Sequence, residues 1–484
     1  MTSKIDPRRW SAALSSLPVL AAGALVPLLW AGAAFAEEAA AAAPTPIDTG
    51  DTAWVIAATA LVLMMTLPGL ALFYGGLVRS KNVLNIFMQC FLTAGMVGVL
   101  WVLIGYSLAF GAGGAFIGDL SKLGLMSVLP DATTAGFQIP GVATRNIPEL
   151  IFAMFQAMFA IITPALILGA VAERMKFSAY VAFISLWLLL VYCPIAHMVW
   201  SANGWIFKAG ALDFAGGLVV HMSSGFSALA LALMLGKRRG FGKEPMAPHS
   251  VPLCLIGAGL LWTGWFGFNA GSALSASGLA ALAFTNTNTA TAMAVITWAA
   301  IEWLHRGKPT ALGAATAAVA GLVAITPACG FVSPLGSILV GGGVSVVCYA
   351  AVTFLKPAFG YDDSLDAFGV HGLGGAWGAL ASGLFFASAF NPTQGATHAG
   401  QVMVQLQGIA FVAVFAPVMT VLIASTLKVV FGSLRVSDEA EFDGLDLSEH
   451  SESAYTSVGG GTLVSPAPAA GESMAPGVLA HSTK

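Results

Sequence analysis

Two histidines lie inside apolar stretches of the chain, where a polar ring is costly unless something requires it. His221 is part of GGLVVHMSSG (216–225), and His371 is part of FGVHG (368–372). A neutral imidazole ring carries one hydrogen-bond donor and one acceptor. Because an apolar medium disfavours the charged form, we expect both rings to be mainly neutral. Two such rings side by side share one hydrogen bond and suit a small polar molecule that both donates and accepts.

The sequence around His221 is echoed around His371. In both copies an Asp precedes the His by eight residues and a Gly follows it by four; these residues are Asp213, His221 and Gly225, and Asp363, His371 and Gly375. A single histidine of this kind has packing as an equally good explanation. Two at corresponding positions favour function, because ionisable residues inside a membrane usually mark a substrate path.

The composition indicates a membrane protein. Of 484 residues, 57% are hydrophobic and only 9% are charged, and the mean hydropathy is +0.84, whereas soluble domains are about 25% charged. Long apolar blocks of the kind that form transmembrane helices recur along the chain. We therefore predict an all-α integral membrane protein with eleven transmembrane helices, which begin near residues 53, 83, 148, 178, 215, 251, 280, 311, 336, 367 and 401.

The basic residues predict how these helices are oriented. Thirteen Lys and Arg residues fall on one side of the predicted membrane and three on the other, which places the N-terminus outside and the C-terminus in the cytoplasm. Five spans separate the two histidine motifs, so an inverted five-helix repeat plus an eleventh helix is predicted. Eight helical residues advance about 12 Å, so both histidines approach the middle of a hydrocarbon core about 30 Å thick.

The two ends of the chain differ from the apolar middle. Residues 1–36 combine a basic start, an apolar run and AFA at 34–36, and we interpret them as a signal peptide cleaved after Ala36. An additional membrane-spanning helix is the alternative for this segment. Residues 37–52 are rich in Ala and predict a disordered extracytoplasmic lead-in.

Aromatic residues form a second candidate site. Phe155 and Phe159 are four residues apart, on one face of a predicted helix, while Phe268 and Ser272 lie in WFGFNAGS and Trp200 lies in HMVW. Aromatic faces attract cations. The competing explanation is a belt of aromatic residues at the membrane interface.

Motifs for other functions are missing from the sequence. There is no HExxH, GxSxG or GxxxxGK[ST] motif, and the five cysteines have no paired spacing. No basic patch suggests nucleic acid. We expect no enzyme activity, no cofactor, no metal and no disulfide.

Several motifs together resemble the ammonium transporter (Amt/MEP/Rh) family, in its bacterial Amt-type form. The resemblance covers residues 53–456 and is carried by GLALFYGGLVRSKNVLN, AERMKFSA, PIAHMVW, GALDFAGGLVVH, GWFGFNAGS, TPACGF, FGVHG and LRVSDEAEFDGLDLSEHSESAY. It implies a transporter domain at 53–432 and a cytoplasmic regulatory tail at 433–456. The extension at 457–484 goes beyond the family pattern and is expected to be disordered, and the loop SANGWIFKAGAL looks slightly longer than in relatives.

The resemblance also implies roles for individual residues. The recruitment site for ammonium would comprise Trp200, Ser272, Phe155 and Asp213. Below it, Phe159 and Phe268 would form a stacked gate, and His221 and His371 would be the paired pore histidines that handle ammonia and the proton, with Thr326 near the pore.

The resemblance further implies a multi-pass transporter of the inner (cell) membrane that takes up ammonium or methylammonium for nitrogen nutrition. It would be a homotrimer and would dock a trimeric PII-type signal protein on its cytoplasmic face. Two alternatives stay open at this point: a sensor that binds ammonium and transports little, and a channel for a neutral solute.

Overall fold

The computed structural model describes residues 46–134, 146–392 and 397–455, and all regular secondary structure in these ranges is helical. The predicted signal peptide (1–36) and the C-terminal extension (457–484) lie outside the described residues, as does most of the predicted lead-in (37–52). The end of that lead-in is helical, because the first described helix begins at Thr49 rather than near residue 53.

Nine helices of the described residues are long and apolar enough to span a membrane. They are α1 (Thr49–Leu77), α2 (Ser80–Phe110), α3 (Glu149–Val171), α4 (Phe177–Lys208), α5 (Gly217–Leu235), α6 (Val251–Gly271), α7 (Gly278–Arg306), α9 (Pro334–Phe359) and α11 (His398–Phe431).

Two further helices occupy the remaining predicted positions but are not among the nine. They are α8 (Ala311–Ile325) and α10, which consists of the π-helical turn Phe368–Leu373 and the helix Gly374–Phe385. A helix is thus present at each of the eleven predicted positions, while the count of eleven spans stays a prediction. Two short helices, α12 (Asp438–Asp443) and α13 (Leu445–His450), follow in the tail.

Several of these helices are capped at their N-termini by hydroxyl side chains. The residues Ser250, Thr310, Ser333 and Thr397 precede α6, α8, α9 and α11, and each side chain accepts a hydrogen bond from a backbone N–H of the first turn. Such caps satisfy N–H groups that have no partner within the helix. This matters more in lipid, where no water replaces a missing partner.

The helices that carry the two histidines begin differently, with an aspartate. The Asp213 carboxylate accepts hydrogen bonds from the four consecutive backbone N–H groups of residues 216–219, at 2.5–3.2 Å. The Asp363 carboxylate accepts from Ala367 at 3.0 Å and from Phe368 at 2.8 Å. Both helices then start with a π-helical turn that contains the histidine. The equal Asp-to-His spacing therefore reflects two equivalent capped helix starts.

This arrangement corrects one step of the sequence estimate. The estimate that each histidine lies about 12 Å along its helix assumed that all eight residues from Asp to His are helical. Asp213 precedes the helix, which begins at Gly217, so fewer residues of helix separate the start of α5 from His221.

Glycines allow α5 and α10 to cross in direct backbone contact. A Cβ atom added at Gly225 would overlap the backbone of Gly372, and one added at Gly375 would lie 2.9 Å from Cβ of His221. Each glycine that follows a histidine by four residues thus packs against the start of the other helix. Since the later part of each helix meets the early part of its neighbour, α5 and α10 run in opposite directions.

Buried charges join the helices at one end of the bundle, which we call the basic end. Glu173 forms ion pairs with Arg79 (2.9 Å) and Arg238 (3.1 Å), and Asp362 pairs with Arg238 (2.8 Å) and approaches Arg174 (4.0 Å). These five residues are the basic-end ion cluster. Glu173 adopts a left-handed backbone conformation with φ of 71°, which is uncommon for a residue with a side chain, and its ion pairs hold it there.

The cluster keeps its carboxylates ionised. Burial by itself raises the pKa of the Glu173 carboxyl, but Arg238 and Arg79 outweigh burial and hold that pKa below its usual value. The pKa of Asp362 is also held low, because burial is outweighed by the hydrogen bonds and charge of Arg238 and by the charge of Arg174.

The described part of the tail is folded against the basic end. The backbone N–H of Leu445 donates to the Asn82 side chain (2.8 Å), and the Asp446 carboxylate accepts from the backbone N–H of Asn85 (2.8 Å). The backbone N–H of Arg239 donates to Glu441 at 2.6 Å. The tail therefore contacts both the start of α2 and the loop that follows α5.

We expect the ion cluster to make stability depend on acid pH. A carboxylate with a depressed pKa contributes its full stabilisation above the unfolded-state value, about 4.3 for Glu and 3.9 for Asp, and loses it as pH falls through the folded-state value. The thermal unfolding midpoint of the purified protein should therefore drop between pH 5 and pH 3. Glu173→Gln should lower the midpoint at pH 7 and weaken this dependence, because removing one partner of a buried pair costs about 3–5 kcal/mol.

The exposed Glu452 provides the matched control, and Glu452→Gln should leave the midpoint at pH 7 unchanged. If Glu173→Gln unfolds at the wild-type temperature and with the wild-type pH dependence, the cluster does not stabilise the fold.

Candidate functional site

A continuous line of rings, which we call the ring column, runs through the bundle from Trp200 to His371. The Phe159 ring lies 5.9 Å from the Trp200 ring and 4.2 Å from the Phe268 ring, measured between centroids. Phe268 lies 6.2 Å from His221, and His221 lies 5.4 Å from His371. The five residues come from α3, α4, α5, α6 and α10, and the structure brings all of them together.

The Trp200 end of the column contains the other candidate binding residues. The Phe155 ring meets the Phe159 ring edge-on at 4.9 Å, and Gly271 packs against Phe155 just before Ser272. The Ser272 hydroxyl donates to the Phe268 carbonyl oxygen at 2.8 Å and is 7% exposed. Since its hydrogen is used, the Ser272 oxygen is left to accept from a ligand that donates.

Asp213 contributes to this end indirectly. Its carboxylate is occupied by the four backbone N–H groups that begin α5, while its carbonyl oxygen accepts the Trp200 indole N–H at 2.9 Å. The residue is fully buried. It therefore orients the Trp200 ring and supplies negative charge without offering a free oxygen to a ligand.

The two histidine rings are close enough to share a hydrogen bond. Their Nδ1 atoms are 3.3 Å apart, and the rings are nearly parallel, with an interplanar angle of 23°. When the rings are neutral only one Nδ1 carries the shared hydrogen, so one Nε2 is an acceptor and the other Nε2 is a donor. Nε2 of His221 is buried and has no hydrogen-bond partner. A buried nitrogen without a partner is costly, and this one suits a molecule that passes along the column.

Trp265 belongs to the column, although the sequence analysis assigned it no role. Its ring stacks on His221 at 5.4 Å with an interplanar angle of 22°, and its indole N–H donates to the Thr326 hydroxyl at 2.8 Å. Thr326, which was predicted near the pore, thus holds Trp265. The sequence spacing could have indicated this position for Trp265, because Trp265 precedes Phe268 by three residues and so lies on the same helix face.

Two cavities lie along the column. One of about 10 Å³ lies among Trp265, Phe268, His221 and His371, which is about the space that one water-sized molecule needs. The other, of about 350 Å³, is lined by His371 together with charged side chains of the basic end, among them Lys356 and Asp366. His371 borders both cavities, so the ring column leads from a narrow apolar space into a wider one that is lined by apolar and charged side chains together.

Comparison with known proteins shows the family of the chain. The model of the Ammonium Transporter Family matches residues 53–455. An ammonium transporter of Bacillus subtilis (strain 168) is 48% identical over 414 residues, which cover 84% of this chain and 99% of that protein. The chain belongs to the ammonium transporter family.

Solved structures share the fold. The crystal structure of Saccharomyces cerevisiae Mep2 matches with a TM-score of 0.74 and 36% identity, over 82% of this chain and 89% of that one. A structure described as a sensor Amt protein matches with a TM-score of 0.75 and 28% identity, over 83% of this chain and 98% of that one. A protein described as a sensor therefore shares the fold of this chain.

We expect Gly225→Ala to separate α5 from α10. The added methyl group overlaps the backbone of Gly372, and overpacking of this kind costs about 1–3 kcal/mol. The thermal unfolding midpoint should fall, and the His221–His371 contact should widen in a structure of the variant.

Gly98→Ala provides the control, because nothing lies within 4 Å of a Cβ atom at that helical position. Wild-type stability in both variants would show that the contact between α5 and α10 tolerates a side chain.

Proposed function

We propose that the protein transports ammonium across the cell membrane into the cytoplasm. It recruits NH4+ at the Trp200 end of the ring column, removes a proton there, and conducts NH3 past the histidines while the proton travels separately. The observation that carries this proposal is the His221–His371 pair, which presents an unpartnered nitrogen inside a closed column of aromatic rings. The membership of the ammonium transporter family supports it.

The Trp200 end has the chemistry to hold a cation that donates hydrogen bonds. The rings of Trp200 and Phe155 provide aromatic faces, which attract cations most strongly where water is excluded. The Ser272 oxygen accepts, and the buried Asp213 adds negative charge nearby. These groups replace part of the water that ammonium gives up on binding.

Beyond the Trp200 end, moving a charged ammonium ion along the column costs too much free energy. The Phe159 and Phe268 rings are 4.2 Å apart, and the space below them is bordered mainly by apolar side chains. A charge at the centre of a membrane costs several kcal/mol even where nearby water and polar groups relieve it. Ammonia without its proton avoids most of that cost, so the phenyl rings mark where deprotonation becomes favourable.

The histidine pair then serves a neutral molecule and a proton alike. Ammonia donates and accepts, and the pair offers one acceptor and one donor nitrogen to it. If a proton arrives at the accepting Nε2, the hydrogen shared between the two Nδ1 atoms can shift to the other ring. A proton can then leave from the Nε2 of that other ring. The pair therefore relays a proton without either ring moving far.

The orientation, assembly and partner are proposed from the charge distribution and from the family resemblance. The basic end faces the cytoplasm, as the distribution of Lys and Arg predicts, and the N-terminus lies outside after removal of residues 1–36. Three copies assemble into a homotrimer with one path each, and a trimeric PII-type signal protein docks at the basic end, where the described part of the tail is folded.

A sensor with little transport is the second candidate, favoured by the likeness to the sensor Amt protein. A growth assay on low ammonium distinguishes a transporter from a sensor. A transporter rescues a transport-deficient strain on low ammonium, whereas a sensor does not.

We expect ammonium to evoke a current in liposomes that contain the wild-type protein. Replacing both His221 and His371 by Ala should abolish coupled transport, seen as loss of that current and of methylammonium uptake, because the relay and its hydrogen bonds are gone. His398→Ala is the control, since His398 is exposed and lies outside the ring column.

No current from the wild-type protein would exclude electrogenic ammonium transport and favour a sensor or a channel for a neutral solute. An unchanged current and selectivity in the double variant would remove the histidine pair from the mechanism.

A further inference from the structure

A glutamine of α11 holds the loop that leads into α5. The Gln405 side chain is fully buried, and its amide oxygen accepts the Leu212 backbone N–H at 2.7 Å. Its amide nitrogen donates to the carbonyl oxygens of Leu212 and Ala379, both at 2.8 Å. The amide of Gln401 also donates to the Gln405 oxygen at 3.3 Å. Both donors and both acceptor positions of the Gln405 amide are therefore used.

This clamp lies one residue from the recruitment site. Leu212 precedes Asp213, whose carbonyl oxygen holds the Trp200 indole at 2.9 Å and whose carboxylate begins the helix of His221. Gln405 bonds both the N–H and the C=O of Leu212, which belong to the two consecutive peptide groups on either side of that residue. Neither peptide group can therefore rotate without breaking a buried hydrogen bond. The direction of the Asp213 carbonyl, and with it the Trp200 ring, depends on this grip.

The basic end has a counterpart with different chemistry. Asp362 precedes Asp363 as Leu212 precedes Asp213, and it is held by Arg238 and Arg174. The Arg238 backbone N–H donates to the Asp362 carboxylate at 2.7 Å, and the Arg174 guanidinium donates to the Asp362 carbonyl oxygen at 2.6 Å. Charges hold the loop at that end, whereas a neutral amide holds it at the end where a cation binds. A guanidinium group at the position of Gln405 would repel the cation.

From these contacts we infer that Gln405 is a positioning residue for ammonium recruitment, acting through the Leu212 peptide on Asp213 and Trp200. The inference rests on the proposed function. It also assigns a role to α11, which lies outside the predicted five-helix repeats and braces the recruitment loop from beyond them. Gly408, one turn further along α11, packs closely on Leu218 in the first turn of α5, so the same face of α11 supports both the loop and the helix.

The test compares ammonium-evoked currents in liposomes over a range of ammonium concentrations. Gln405→Met keeps the size of the side chain and removes its hydrogen bonds. Loss of these buried hydrogen bonds should raise the half-saturating ammonium concentration about tenfold. The maximal current per folded protein should change less than about twofold, because the ring column below the site is intact.

Two further variants make the result decisive. Thr420→Val changes a buried hydroxyl of the same helix that has no hydrogen-bond partner, and it should leave half-saturation unchanged. Gln405→Glu in its protonated form keeps one donor and one acceptor for Leu212, so it should rescue half-saturation to within about threefold of wild type; it also decides the question if Gln405→Met does not fold.

The outcomes separate the two proposals. A wild-type protein without an ammonium current contradicts the proposed function itself. A wild-type current combined with unchanged half-saturation in Gln405→Met overturns the role of Gln405 alone. Where Gln405→Met does not fold, a half-saturating concentration in Gln405→Glu that is raised well beyond threefold overturns it, because the hydrogen bonds kept by that side chain should preserve recruitment. A lower yield of folded protein with normal half-saturation likewise shows that Gln405 only stabilises the fold.

Discussion

The capping of two helix starts by aspartate is the interaction on which the placement of both histidines depends. Asp213 and Asp363 each satisfy backbone N–H groups that have no partner of their own, which lets α5 and α10 begin within the bundle. The glycines that follow allow the two helices to cross in backbone contact. The histidines meet at 3.3 Å because they occupy the first turns of these two helices. A change in either cap moves a histidine, even though neither carboxylate touches the ring column.

The same arrangement separates charge from the apolar centre. Carboxylates and guanidinium groups are paired in the basic-end ion cluster, and the Asp213 carboxylate is stabilised by four backbone N–H groups at the opposite end. Between them the column consists of rings without formal charge. A cation is therefore stabilised at the Trp200 end of the column and destabilised within it. A neutral molecule that forms hydrogen bonds is instead favoured within the column and gains less at the Trp200 end. Selectivity in the proposed mechanism arises from this contrast rather than from the width of the path alone.

Whether a feature of the site could be predicted from the sequence depends on how far apart in the chain the contacting residues are. The histidine pair was predictable because its motif occurs twice, and the Phe155–Phe159 face because four residues make one helical turn. Trp265 was missed although its spacing to Phe268 was visible, since nothing local shows that it stacks on His221. The Gln405 clamp joins residues 193 positions apart, and no periodicity reports such a contact. The capping role of Asp213 was also hidden, because its spacing to His221 fits an unbroken helix equally well.

Proton removal before passage is the central claim, and a comparison of ammonium with potassium tests it most directly. Both cations fit a site of aromatic faces and one hydroxyl, but only ammonium has a proton to release at the Phe159–Phe268 rings. In the same wild-type liposomes, at equal concentrations, the account predicts a current with ammonium and a response to potassium no larger than in vesicles without protein. A potassium current comparable to the ammonium current would show that an intact cation crosses the column, and would contradict the account.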